Sequence, residues 1–170
     1  MQGIGIRDKG LVALVLLLAL FPPMIVPQEI QMGDARVEAG KGHVVLLSDS
    51  VVLSAAKTQT VELRFRVADG FHINSHTPKD ELLIPTELKL DSRDGLNVLG
   101  EEYPKGSAFR LEVGAGETLD VYQGEFRVTV KISAPPGASL LTGSLRYQAC
   151  DSAACFPPKS LSVKIALIGR

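Results

Sequence analysis

The chain has 170 residues, 45% of them hydrophobic but only 5% aromatic and none of them Trp, with 18 basic against 19 acidic side chains. A net charge of -1 supplies neither the basic surplus that nucleic acid demands nor a polybasic patch for anionic membranes. The length suits one domain and a leader, and Val, Leu and Ile are left to fill the core, a mix that favours strands.

In chain order the first feature is an apolar run. Arg7 and Lys9 precede LVALVLLLALF, Leu11 to Phe21, and Pro22 and Pro23 break it. Such a helix reaches about 16 Å, against a hydrocarbon layer of about 30 Å. A basic start followed by a short apolar stretch is the pattern of an export signal. Residues 1–26 are therefore read as an export signal or, because no clean A-x-A site follows, as a short N-terminal anchor. Gly33-Asp34-Ala35 has suitable small residues but lies late. Residues 27–42 read as a polar, Gly-containing linker.

From residue 43 the hydrophobic period is two. His43–Leu47 and Ser50–Ser54 are short candidate strands. TVELRFRVA then places Val61, Leu63, Phe65 and Val67 on one face and Glu62, Arg64 and Arg66 on the other. FHINSHTPKD reads as a strand end and a turn. Pro85–Leu90, Leu96–Leu99 and Leu119–Tyr122 are further short strands, with a loop, GEEYPKG, from Gly100 to Gly106. GEFRVTVKIS turns Phe126, Val128, Val130 and Ile132 inward. Thr142–Ala149 follows, and KSLSVKIAL closes the series with Leu161, Val163, Ile165 and Leu167. One-sided alternation is what two antiparallel sheets packed face to face require. The predicted fold is all-β: an immunoglobulin-like antiparallel β-sandwich over residues 43–170.

YQACDSAACFPPKS holds the two cysteines of the chain, Cys150 and Cys155. Leu145 and Tyr147 alternate with polar residues, so a strand enters Cys150, and a second, antiparallel strand starts near Ser160. Pro157 holds Phe156 extended, so Phe156, Pro157 and Pro158 form a stiff exit that fixes where Cys155 points. Outside the cytoplasm an even cysteine count implies a disulfide. A closed loop of about six residues stabilises by only about 2 kcal/mol, against about 4.7 for a hundred-residue loop. That makes a weak staple but an accessible one, and exposed, strained disulfides are the labile ones. A metal site would need two ligands besides the thiolates. His72 and His76 are four apart, but not on a helix, and His43 is the third histidine. No metal ligand set is assigned, and no G-x-S-x-G, P-loop or H-E-x-x-H occurs. The residues by themselves leave a structural and a redox-active disulfide both open.

GSLRYQACDSAACFPPKSLSVKI resembles the N-terminal domain of DsbD-type thiol–disulfide interchange proteins, in which Tyr-Gln-x-Cys leads through a short loop to Cys-Phe-Pro-Pro or its Tyr variant. RVADGFHINSHTPKDELLIPTEL, GEEYPKG and VYQGEFRVTVKI match further segments in order, and the resemblance spans about residues 43 to 167. It implies a periplasmic immunoglobulin-like domain with a redox-active Cys150–Cys155 pair. Cys155 would form the mixed disulfide and Cys150 would resolve it. The implied partners are thioredoxin-like periplasmic proteins and a DsbD/CcdA-like membrane reductase, with no cofactor, nucleic acid or small-molecule substrate. The implied activity is that of a protein-disulfide reductase. A non-catalytic immunoglobulin-like binding module with a structural disulfide is the alternative.

The sequence departs from the family at several points. Its cysteine loop is one residue shorter. His72 and Asn74 stand where the family has tyrosines. The cap loop falls on Glu101, Glu102 and Tyr103, and Tyr103 is the aromatic expected to pack over the disulfide. DsbD proteins continue into a membrane bundle and a thioredoxin-like domain, so with a chain ending at Arg170 donor and acceptor are expected to be separate proteins.

Overall fold

Along β3, Thr58–Val67, the two-residue period becomes two chemically distinct faces: Val61, Leu63, Phe65 and Val67 are buried, and Glu62, Arg64 and Arg66 are exposed. The computed structural model describes residues 42–111 and 117–170. Their regular structure is entirely strand. β3 pairs antiparallel with β9, Glu125–Ser133, from Thr58 opposite Ser133 to Arg66 opposite Glu125. β1, Val44–Leu46, and β6, Asn97–Glu102, complete this sheet in the order β1-β3-β9-β6.

The second sheet has the order β2-β12-β10-β5, with β2 at Ser50–Leu53, β12 at Lys159–Gly169, β10 at Gly137–Tyr147 and β5 at Glu87–Leu90. β10 and β12 pair antiparallel along their whole length, while β2 runs parallel to β12. Leu63, Phe65, Val128 and Ile132 of the first sheet and Leu141, Leu145, Ile165 and Leu167 of the second belong to one core, each fully buried. Burying such a side chain contributes about 1.5–3 kcal/mol relative to leaving it in water. The predicted immunoglobulin-like β-sandwich is the fold the chain adopts.

A third, smaller sheet carries what the alternation did not show. Its order is β11-β4-β8-β7, with β11 at Ala149–Cys150, β4 at His72–Asn74, β8 at Thr118–Tyr122 and β7 at Ser107–Arg110. β4 is buried on both faces, so it has no polar side to reveal a period, and β7 is too short and polar to do so. β6 runs on through Glu102, so Glu101 and Glu102 stand in a strand opposite Val130 and Thr129 and not in a loop. The expected export segment 1–26 and nearly all of the linker 27–42 lie outside the described residues. No helix among the described residues is long and apolar enough to cross a membrane.

Candidate functional site: the Cys150–Cys155 hairpin

The chain changes sheets at Gln148. β10 ends at Tyr147 beside β12, and β11 then pairs with β4, setting Ala149 opposite Ile73 and Cys150 opposite His72. Side chains hold this switch. The Gln148 amide donates to the Phe156 carbonyl at 3.2 Å, and the buried Asn74 amide donates to the Ile84 carbonyl at 3.0 Å. Tyr147, one of the largest buried side chains, accepts the His43 N–H at 3.2 Å.

Beyond Cys150 the chain makes a tight hairpin. The Asp151 N–H donates to the Ala154 carbonyl at 3.0 Å, and the Phe156 N–H donates to the Ala149 carbonyl at 2.8 Å. Asp151 Oδ1 accepts the N–H groups of Ala153 and Ala154 at 2.7 and 2.8 Å. Those two bonds favour the charged form and hold the carboxyl below its ordinary range. Cys150 and Cys155 face each other as an isolated antiparallel bridge, Cα atoms 3.9 Å apart, and their sulfurs are bonded.

The two sulfurs belong to unlike environments. Cys150 is 2% exposed, whereas Cys155 is exposed, as are Ala153 and Ala154 before it and Pro157 and Pro158 after it. Phe156 turns inward. Its ring lies 5.1 Å from His43 and 5.8 Å from Phe71, and His43 and Phe71 stack at 4.0 Å. The anchored ring and the two prolines bracket the exit from Cys155.

Behind Cys150 stands His72, 1% exposed, its ring 4.2 Å from that of Phe109 on β7. Burial disfavours the imidazolium and lowers the His72 pKa, while the Asp151 charge opposes the shift. Tyr103, the aromatic that the sequence suggested for the cap, has two well-defined partners. Its ring stacks on His76 at 3.7 Å, nearly parallel, and its hydroxyl accepts the Leu88 N–H at 2.8 Å. The aromatic ring against His72 is Phe109, whose sequence context, SAFR, gives no apolar period to mark it.

The disulfide closes a loop with a sequence separation of 5. A chain with both cysteines replaced by serine is expected to stay folded and lose about 2 kcal/mol, roughly 8 °C in melting temperature. Loss of a cooperative thermal transition, followed by circular dichroism, would make the bond a structural staple instead.

These features define a class: a β-sandwich domain with a disulfide hairpin in which one cysteine is exposed and the other buried. The family model described as the N-terminal domain of the thiol:disulfide interchange protein DsbD matches residues 45–167, and the chain belongs to that family. Solved structures include similar folds. The reduced DsbD N-terminal domain of Neisseria meningitidis is 25% identical, with a TM-score of 0.43 over 68% of this chain and 82% of that one. The N-terminal periplasmic domain of ScsB from Proteus mirabilis is 20% identical, with a TM-score of 0.47 over 71% of this chain and 43% of that one. In the complex between the DsbD and PilB N-terminal domains of Neisseria meningitidis the matching chain is 21% identical, with a TM-score of 0.44 over 74% of this chain and 84% of that one. No curated protein matches the chain.

Proposed function

We propose that the chain is a periplasmic thiol–disulfide interchange domain. It passes two electrons through Cys150 and Cys155 from a membrane-linked, thioredoxin-like donor to oxidised periplasmic proteins, disulfide isomerases and cytochrome c maturation factors among them. Residues 1–26 serve as its export signal or as a short N-terminal anchor, and residues 27–42 link them to the domain. The observation that carries this reading is the unequal exposure of the two cysteines within a family named for interchange.

Exchange proceeds by attack of a thiolate on one sulfur of a disulfide. A donor thiolate reaches the exposed Cys155 sulfur, the Cys150–Cys155 bond breaks, and Cys150 leaves as a thiolate. The donor's second thiolate then releases Cys155, and the domain is a dithiol. Transfer onward reverses the order: Cys155 attacks the acceptor disulfide, and Cys150 displaces the acceptor. Cys155 loses little hydration as a thiolate. Cys150 is buried and has the Asp151 carboxylate next in sequence, and both disfavour its thiolate.

The alternative, a binding module with an inert disulfide, separates by reduction potential. Equilibration with glutathione or dithiothreitol buffers is expected to place the pair above about -300 mV, within reach of thioredoxin-like donors. A potential below that value, with no reduction by a thioredoxin, would establish the inert bond.

A further inference from the structure

The interchange reading leaves a chemical requirement open. To resolve the mixed disulfide on Cys155, Cys150 must lose a proton in a place that water hardly reaches. An ordinary cysteine has a pKa of about 8.5, so little of it is thiolate at neutral pH, and burial with a carboxylate nearby reduces that fraction further.

One side chain is placed to take the proton. His72 is the register partner of Cys150 across the β4–β11 ladder, and directly opposed residues carry their side chains on one face. Both residues are almost fully buried. His72 Nε2 is buried and has no hydrogen-bond partner. Unmet polar atoms in a protein interior are unfavourable, and an apolar side chain would avoid the penalty. The oxidised cysteine offers Nε2 no donor, because neither sulfur of a disulfide carries a hydrogen. Reduction supplies one: the Cys150 S–H, on the strand directly opposite.

We infer that His72 accepts the proton of Cys150 in the resolving step, an assignment that rests on the interchange reading above. In the Nδ1–H tautomer Nε2 is the acceptor. Once the acceptor protein is joined to Cys155, the Cys150 proton passes to Nε2. The Cys150 thiolate attacks the Cys155 sulfur, the Cys150–Cys155 bond forms, and the bond from Cys155 to the acceptor breaks. The acceptor's sulfur leaves as a thiolate and takes up a proton, which returns His72 to its neutral form. The dithiol has lost two electrons, and the acceptor's disulfide has gained them.

The surroundings of the ring suit this cycle. Phe109 of β7 covers it with an aromatic face and no charge. Opposite it on β11 is Cys150, and the charge of Asp151, next in sequence, also acts on the ring. Burial keeps the resting imidazole neutral and able to accept, and Asp151 supports the imidazolium once it forms.

The test uses the reduced chain and one equivalent of dithiobis-nitrobenzoate, an aromatic disulfide whose released thiolate is coloured. Attack by Cys155 gives a first, concentration-dependent phase, and resolution by Cys150 gives a second, concentration-independent one. For His72→Gln the ratio of second-phase to first-phase rate is expected to fall about tenfold at pH 7 and to recover above about pH 9, where the thiol ionises unaided. A second measurement requires no variant: in the native chain the second phase is expected to stay within about twofold between pH 8 and pH 6.5 and to decline below that. A native second phase that instead falls steadily from about pH 8.5 downward, or a His72→Gln ratio equal to the native one at every pH, overturns the role of His72 while leaving exchange intact. Absence of the first phase overturns the interchange reading and the inference with it.

Discussion

A Cys150→Ala chain, incubated with a thioredoxin-like partner or with oxidised glutathione, is expected to accumulate a mixed disulfide through Cys155, at least about tenfold more than a Cys155→Ala chain does. Two things differ between these variants. The first is reach, since Cys155 is exposed and Cys150, in the edge strand of the third sheet, is only 2% exposed. The second is rigidity of presentation. Phe156 is fixed through its N–H to Ala149, through its carbonyl by Gln148, and through its ring by His43 and Phe71, so the neighbouring Cys155 sulfur is held in one place. Removing Cys150 takes away the thiol that would displace the partner, and the adduct persists. Removing Cys155 leaves a thiol that a bulky partner cannot approach. Non-reducing electrophoresis followed by mass spectrometry of the adduct reads the outcome. Equal adduct in both variants, or partner attached to Cys150 in the native chain, would reverse the assignment of the two roles.

The part of this molecule that could be read in advance is the part whose burial is one-sided. β3, β9 and β12 each alternate an apolar with a polar residue, and each apolar position named in β3 and β9 is buried, as are Val163, Ile165 and Leu167 in β12. β4 fails that test for a physical reason: His72, Ile73 and Asn74 are all buried, so two polar residues sit inside and no alternation remains. The cysteine pair was legible as a pair, and a partner strand on either side of it was too. Its asymmetry was not. Cys150 and Cys155 each follow an alanine, and the difference in exposure arises from pairing with His72, distant in sequence. His72 could be seen as a departure from the family, but its burial against Phe109 depends on β7, which has no periodic signature. The same limit governed Tyr103. An aromatic in a turn-rich segment suggests a lid, and nothing local in the sequence marks its stack on His76 or its bond to Leu88.

Gly143→Ala is expected to lower the melting temperature by roughly 12 °C, about 3 kcal/mol, although the substitution adds a single methyl group. A Cβ at position 143 would lie 2.2 Å from the Lys89 carbonyl oxygen and 2.9 Å from Leu90 Cα. Both are backbone atoms, so no side chain can rotate out of the way and the strands themselves must separate. The strand displaced is β5, joined to β10 from Gly143 opposite Leu90 to Arg146 opposite Glu87. β5 anchors more than its own edge. The Leu88 N–H is bonded to the Tyr103 hydroxyl, Tyr103 stacks on His76, and the His76 ring bonds the Thr86 carbonyl at 2.9 Å. The Thr86 hydroxyl in turn donates to the carbonyl of Asn74, at the end of the strand that begins with His72. A shift of β5 therefore loosens the support of the strand behind Cys150 as well as the core around Leu88, which is why a methyl group here acts beyond its volume. Differential scanning calorimetry of the oxidised chain gives the measurement. A melting temperature within about 2 °C of the native value would show that β5 is not held against β10 as closely as the Gly143 contact requires.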